Sequence, residues 1–313
     1  MSIPVTRDAV CAPTAALPTM AERYRAVRAR TERLCDTLET EDFVVSSMPD
    51  VSPTKWHLAH TNWFFETFIL TPNDPDYRPL DPKYSFLFNS YYVQAGERHC
   101  RAQRGLVTRP TGEDVFKYRR YVDEHMLALL DRTDVNALAE LGLHHEQQHQ
   151  ELLLTDILHV FWTNPTKPAL WPRGSRLVPA PTTSVLDAAR ADVGEGVYHV
   201  GHADGGFSFD NERWAGARLP TEPEWEIAAR LHPQLPDLFD RRWQWTQSGY
   251  GAYPGYAPAA GAIGEYNGKW MADQWVLRGS SVATPPGHSR VTYRNFFPSD
   301  TRWQFTGIRL ARS

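Results

Sequence analysis

The residues of this sequence best placed to do chemistry are His145 and His149, inside the run His144-His145-Glu146-Gln147-Gln148-His149-Gln150-Glu151. Histidines four apart lie on one face of an α-helix, about 6 Å apart along its axis. That spacing lets two imidazoles converge on one metal ion, and neutral imidazole suits zinc, iron, copper or nickel. The run lies in a largely apolar stretch from Ala137 to Trp162. Its helix is therefore expected to be buried, and buried His, Glu and Gln need partners. A solvated polar face with clustered histidines is the plain alternative. The spacing names neither the metal nor a third ligand.

Four helices are expected to position this pair. The first runs from about Met20 to Leu38, with Tyr24, Val27, Leu34 and Leu38 as its apolar stripe. The second opens at Ser52-Pro53, an N-cap followed by the proline favoured at the first helical position, and continues through Trp56, His57 and His60. The third opens at Thr111-Gly112-Glu113-Asp114, a polar start resembling a capping box, and runs to about Arg132. The fourth starts near Thr133-Asp134 and carries the histidines. Four helices with a long excursion between the second and third fit a four-helix bundle, which builds metal sites from side chains projecting inward. The third ligand is then His57 or His60, and spacing does not choose between them. Three neutral imidazoles leave open positions on a metal, the arrangement of a catalytic site. Zinc and iron(II) both remain open, because the usual carboxylate of a non-haem iron triad is not evident.

The chain has 313 residues, 42% hydrophobic and 22% charged, enough for one large or two ordinary globular domains. From about Asn164 it turns Pro-, Gly- and Trp-rich. Repeated proline bars regular structure, so residues 164–186 read as a linker between a helical domain (19–163) and a second domain (187–313), an α+β organisation. A formal charge of −4 argues against nucleic acid or an anionic membrane as the main partner. Cys11, Cys35 and Cys100 form no CxxC pair and no disulfide framework, which fits the cytoplasm. The first twenty residues hold no signal-peptide core, and no window approaches the ~20 apolar residues of a membrane span.

In the second domain, Thr221 to Glu224 has capping-box spacing and opens a helix to about Arg230. Trp243, Trp245 and Tyr250 to Tyr256 are expected to pack the core and line loops. Tyr293-Arg294-Asn295-Phe296-Phe297-Pro298 reads as a Pro-bounded loop, because two adjacent aromatics cannot both face inward on a regular strand. Aromatic faces there would attract a quaternary ammonium. In the helical domain, Tyr91 and Tyr92 precede Arg98 and Arg101. Tyrosine hydroxyls can give up a proton, and a guanidinium fork can hold a carboxylate. A core aromatic patch beside a solvated basic loop is the bland reading.

The segments Ser52 to His60 and His145 to Glu151 together resemble the DinB-like bundle of the ergothioneine-biosynthesis sulfoxide synthases. The pieces Gly216 to Glu226, Trp243 to Thr246, Leu277 to Ser280 and Phe305 to Ala311 resemble the formylglycine-generating-enzyme type of domain, a C-type-lectin-like fold. The resemblance implies iron(II) as cofactor, O2 as co-substrate, and His60, His145 and His149 as metal ligands. It implies Tyr91 and Tyr92 as catalytic proton donors, in the subgroup that uses free cysteine. Arg98 and Arg101 would hold the amino-acid carboxylate. Gln148, Asn295, Phe296 and Phe297 would contact hercynine, the trimethylammonium betaine of histidine. The implied product is hercynylcysteine sulfoxide. Coupling to a selenosugar, or histidine as substrate, are alternatives within the same resemblance. One departure stands out: Glu212 is followed at once by Arg213, where the family carries a long stretch. A shortened second domain leaves an inactive lectin-like or metal-binding module as a further alternative.

Overall fold

The computed structural model describes residues 18–171 and 217–311. The shortening at Glu212 and Arg213 and most of the 164–186 linker lie outside the described residues. Helix α1 (Met20–Arg33) starts with a reciprocal capping box between Thr19 and Glu22. It ends short of Leu38 because the chain tightens into three-residue turns, with Cys35 N donating to Glu32 O and Leu38 N to Cys35 O. Helix α2 (Thr54–Phe65) is buried at all twelve positions, so it shows no amphipathic stripe. Its cap is Pro53 rather than Ser52. The Ser52 N–H instead donates to Asp156 Oδ2 at 2.9 Å. Helix α3 (Gly112–Leu129) begins with the Thr111–Asp114 capping box and stops short of Arg132. Helix α4 (Asn136–Thr163) runs 28 residues and carries both histidines of the spaced pair.

The α2 helix packs against α3 and α4, and α1 against α4. Trp63, Phe64, Phe65, Tyr118 and Met126 fill the space between, each stabilising by about 1.5–3 kcal/mol as a buried large apolar side chain. Gly142, one turn before His145, sets how closely α4 approaches α2. A Cβ there would lie 2.4 Å from the Phe65 ring. A polar knot ties the four helices together. Glu146, fully buried, accepts from Arg28 Nη1 at 2.9 Å, Arg119 Nη2 at 3.0 Å and Thr31 Oγ1 at 2.6 Å. Arg28 Nη2 also donates to Asn62 Oδ1 on α2 at 2.6 Å.

The second part holds helix α5 (Glu222–Leu231), capped by Thr221 and Glu224 as expected, against a four-stranded sheet. Its strands are β1 (Trp243–Gly249), β2 (Trp275–Arg278), β3 (Asn295–Phe297) and β4 (Thr306–Ile308), in the order β3-β2-β1-β4. The β1–β2 and β2–β3 pairs are antiparallel and β1–β4 is parallel. The sheet corrects the loop expected at residues 293–298: Asn295, Phe296 and Phe297 pair with Leu277, Val276 and Trp275 as an edge strand. Backbone pairing to β2 decides this, a long-range partner that local aromatic spacing does not reveal. The sheet docks on α4 through Glu151, which accepts from Trp243 Nε1 at 2.7 Å, Thr284 Oγ1 at 2.6 Å and Ser281 Oγ.

Replacing Glu146 by Ala is expected to cost about 3–5 kcal/mol, since it leaves two buried guanidinium groups without the acid between them. The midpoint of denaturant unfolding measures this. Burial alone would raise the Glu146 carboxyl, but Arg28 and Arg119 outweigh it and hold it at about 2, below the ordinary 4.5. A depressed carboxyl stabilises the fold above its unfolded value and loses that contribution as pH falls. Unfolding free energy should therefore decline between about pH 4.5 and 2, and Glu146→Gln should flatten that decline.

Candidate metal centre

Helix α2 and helix α4 bring His60, His145 and His149 together. One ring nitrogen from each lies within 4.8 Å of the other two. The ring centroids are 4.9 Å (His60–His145), 4.7 Å (His60–His149) and 4.6 Å (His145–His149) apart. The His60 ring lies stacked between Trp56 and Trp63, and its Nδ1 bonds to Phe88 O at 2.6 Å, leaving Nε2 free. His149 Nδ1 is taken up by His57 at 3.0 Å. His145 makes no hydrogen bond among the described residues, and its Nδ1 is buried without a partner. His57 stands outside the cluster, bonded to Asp156 and His149. The structure thus groups His60, and not His57, with the α4 pair.

Burial pushes the His145 pKa down to about 4, against the opposing charge of Glu146, and those of His60 and His149 well below 6.5, where repulsion from the neighbouring imidazoles adds to it. All three are neutral near pH 7, the form in which imidazole binds metals. Converging neutral nitrogens with no donors between them fit a cation, and the set leaves coordination positions open toward a cavity of about 440 Å³.

Two walls of the cavity differ in chemistry. On one side, Arg101 Nη1 donates to Tyr91 Oη at 2.7 Å, and its Nη2 to Asp50 O at 2.6 Å. Arg104 lies beside it, buried, with its guanidinium 3.4 Å over the Trp56 ring. It donates to Ser52 and Ser90 hydroxyls, has no carboxylate in ion-pair contact among the described residues, and leaves Nε unpartnered. Burial lowers its pKa to about 9. Arg98 lies apart from these two: it is exposed and lines a surface pocket with Phe86 and Val93, and does not line this cavity. The reason is local geometry. Residues Arg101–Leu106 form a 3₁₀ helix, whose three-residue repeat puts Arg101 and Arg104 on one side, whereas Arg98 precedes it. The 101/104 spacing was the signal that would have nominated Arg104.

Tyr92 lines the cavity with its ring packed on Trp63 and Phe68, and burial raises its hydroxyl pKa. On the other side stand Asn295, Phe296 and Phe297 of β3. Phe296 stacks on Tyr250 at 4.2 Å. Gln148, between the two α4 histidines in sequence, lines the cavity next to Tyr266. Sequence reasoning missed Tyr266 and Trp270, which also line it, and assigned Trp243 to packing although it lines the cavity and holds Glu151. Tyr266 and Trp270 belong to a segment latched onto the tyrosine loop. Glu265 accepts from Val93 N at 2.9 Å and Gln94 N at 3.0 Å, and Lys269 reaches both Glu265 and Tyr91 O.

Comparison with known proteins bears on the helical part. Residues 23–163 match the DinB superfamily. The chain is also similar to proteins named hercynine oxygenase, from Mycolicibacterium smegmatis (29% identical over 143 residues) and Mycobacterium tuberculosis (30% over 141 residues). Each match covers 31% of this chain and 33% of the relative, so the chain aligns with about a third of the length of these relatives. The helical half thus matches the DinB superfamily, and the chain is similar to the relatives named hercynine oxygenase over that limited share of their length. Among the described residues, no helix is long and apolar enough to cross a membrane.

His60→Ala should abolish metal retention while leaving the far-ultraviolet circular dichroism close to wild type. Elemental analysis after Fe(II) loading and gel filtration checks this: one ion per chain is expected for wild type and close to none for the variant.

Proposed function

We propose that this chain is an iron(II)- and O2-dependent sulfoxide synthase that joins hercynine to cysteine. The observation that carries the reading is the three-histidine cluster opening into a cavity with unpaired arginine on one wall and aromatic faces on the other. Such a cavity suits two zwitterionic substrates held by opposite ends. The similarity to proteins named hercynine oxygenase supports the same substrate. The formylglycine-generating-enzyme-like, lectin-like character of the second part, including its shortening, belongs to this proposal.

The overall chemistry balances as one hercynine C–H and one cysteine S–H with O2, giving a C–S bond, one S=O oxygen and one water. O2 is the four-electron oxidant, and iron(II) held by His60, His145 and His149 would supply the redox-active centre that activates it. Arg101 and Arg104 hold the cysteine carboxylate. Arg104 suits the task because a buried guanidinium without an acid gains a counter-charge when substrate enters. Phe296 and Phe297 offer their rings to the trimethylammonium group, with Asn295 and Gln148 as polar contacts that orient the imidazole. Tyr91, held by Arg101, and Tyr92 are the proton donors. Tyr92 stays protonated through neutral pH because burial raises its pKa, so it is a source of a proton and not a base.

Oxygen uptake by the Fe(II)-loaded protein, with hercynine plus cysteine, tests the reading. Consumption matched by hercynylcysteine sulfoxide supports it. Turnover only with a selenosugar replaces the sulfur donor, and no consumption with either contradicts the enzyme reading. Arg104→Gln should raise the KM for cysteine about 10- to 100-fold, the loss of a charged hydrogen bond worth about 1.5–3 kcal/mol, with a smaller effect on the KM for hercynine. Steady-state oxygen electrode kinetics with each substrate varied checks the split.

A further inference from the structure

We propose that Asp156 and His57 act as positioning residues that fix which nitrogen His149 turns to the metal, a deduction that rests on the metal centre proposed above. The three groups form a line. Asp156 Oδ2 lies 3.0 Å from His57 Nε2, and His57 Nδ1 lies 3.0 Å from His149 Nδ1. Asp156 comes from α4, two turns beyond His149, and His57 from α2. Both are buried, at 5% and 3% exposure, so water does not compete for these bonds.

With the imidazoles neutral, donor and acceptor rules then assign each proton in the line. An ionised carboxylate only accepts, and Asp156 Oδ2 already takes the Ser52 N–H. The His57 nitrogen facing it must carry the proton. In a neutral imidazole the other nitrogen, Nδ1, is then bare. Two bare nitrogens cannot bond, so His149 Nδ1 carries a proton and donates it to His57. The lone pair of His149 is left on Nε2, the ring nitrogen not engaged by His57. His60 is set by the same rule in a simpler way, because Phe88 O, a carbonyl, can only accept from its Nδ1. The chain thus arms two ligands through acceptors of its own, one a backbone carbonyl and the other a carboxylate acting through a second histidine. Without the carboxylate, His57 is free to place its proton on Nδ1. His149 would then accept at Nδ1 and carry its proton on Nε2, where it cannot bind a metal. Outer partners of this kind commonly govern metal affinity by about 10- to 100-fold.

The test uses Co(II), which reports binding through its visible d–d absorption without turnover. Wild type, His57→Phe and His57→Asn are titrated with Co(II) as full chains. The Asn side-chain carbonyl stands near the place of Nδ1 and can still accept from His149. His57→Phe should weaken Co(II) binding about 10- to 100-fold and change the d–d spectrum, and His57→Asn should recover most of both. Equal affinity in wild type and His57→Phe overturns the relay, as do equal losses in the two variants, since lost packing does not distinguish an acceptor. Should His57→Phe not fold, ¹⁵N-histidine spectra of the Zn(II)-loaded wild type decide the matter. Protons on His57 Nε2 and His149 Nδ1 support the relay, and a proton on His57 Nδ1 overturns it. A wild type that takes up neither metal overturns the centre itself, whereas normal uptake with an unaffected variant overturns the relay alone.

Discussion

One buried carboxylate orders the helical half. Glu146 sits on α4 next to His145 and three residues before His149, and it accepts from arginines on α1 and α3 while Arg28 continues to Asn62 on α2. Each of the four helices contributes to this one knot. Its geometry fixes the rotation of α4 about its own axis. Successive helical residues are about 100° apart, so pinning Glu146 toward the arginines leaves His145 and His149 facing α2. Turning α4 to release the histidines would strand two buried guanidinium groups, an expensive state. The structural acid and the chemical bases therefore share one turn, and neither position is free to drift. Gly142 completes the arrangement by letting the helices approach until the Phe65 ring fills the space a methyl group would occupy.

The second part closes what the bundle leaves open. Glu151 sits two residues beyond His149, and its carboxylate takes three donors from the sheet side. The sheet is thereby registered directly to the helix that carries His145 and His149. A second link holds the segment of Tyr266 and Trp270 against the loop of Tyr91 and Tyr92 through Glu265 and Lys269. The cavity is walled by both parts, with guanidinium groups from the bundle on one side and aromatic rings from the sheet on the other. Each part alone would present half a binding site.

Much of this was legible in the sequence where the signal is local. Helical spacing named His145 and His149, capping boxes placed the starts of α3 and α5 at Thr111 and Thr221, and the family resemblance chose His60 where spacing left His57 equally open. Most of the misses share one cause, which is partnership between residues far apart in the chain; the arginines are the local exception. Ser52 looked like an N-cap, but its N–H belongs to Asp156. Residues Asn295 to Phe297 looked like a loop until β2 supplied their backbone partners. Arg98 and Arg101 were paired by closeness in sequence, whereas the 3₁₀ turn pairs Arg101 with Arg104. Spacing alone makes His57 a rival ligand, whereas it bonds to His149 and to Asp156, 99 residues away.

The most direct test of the account is anomalous diffraction at the iron edge from anaerobic Fe(II)-loaded crystals. The account predicts one peak at coordination distance from Nε2 of His60, His145 and His149, with the remaining positions facing the cavity. A peak bonded to other residues, or none at full Fe(II) loading, would contradict it.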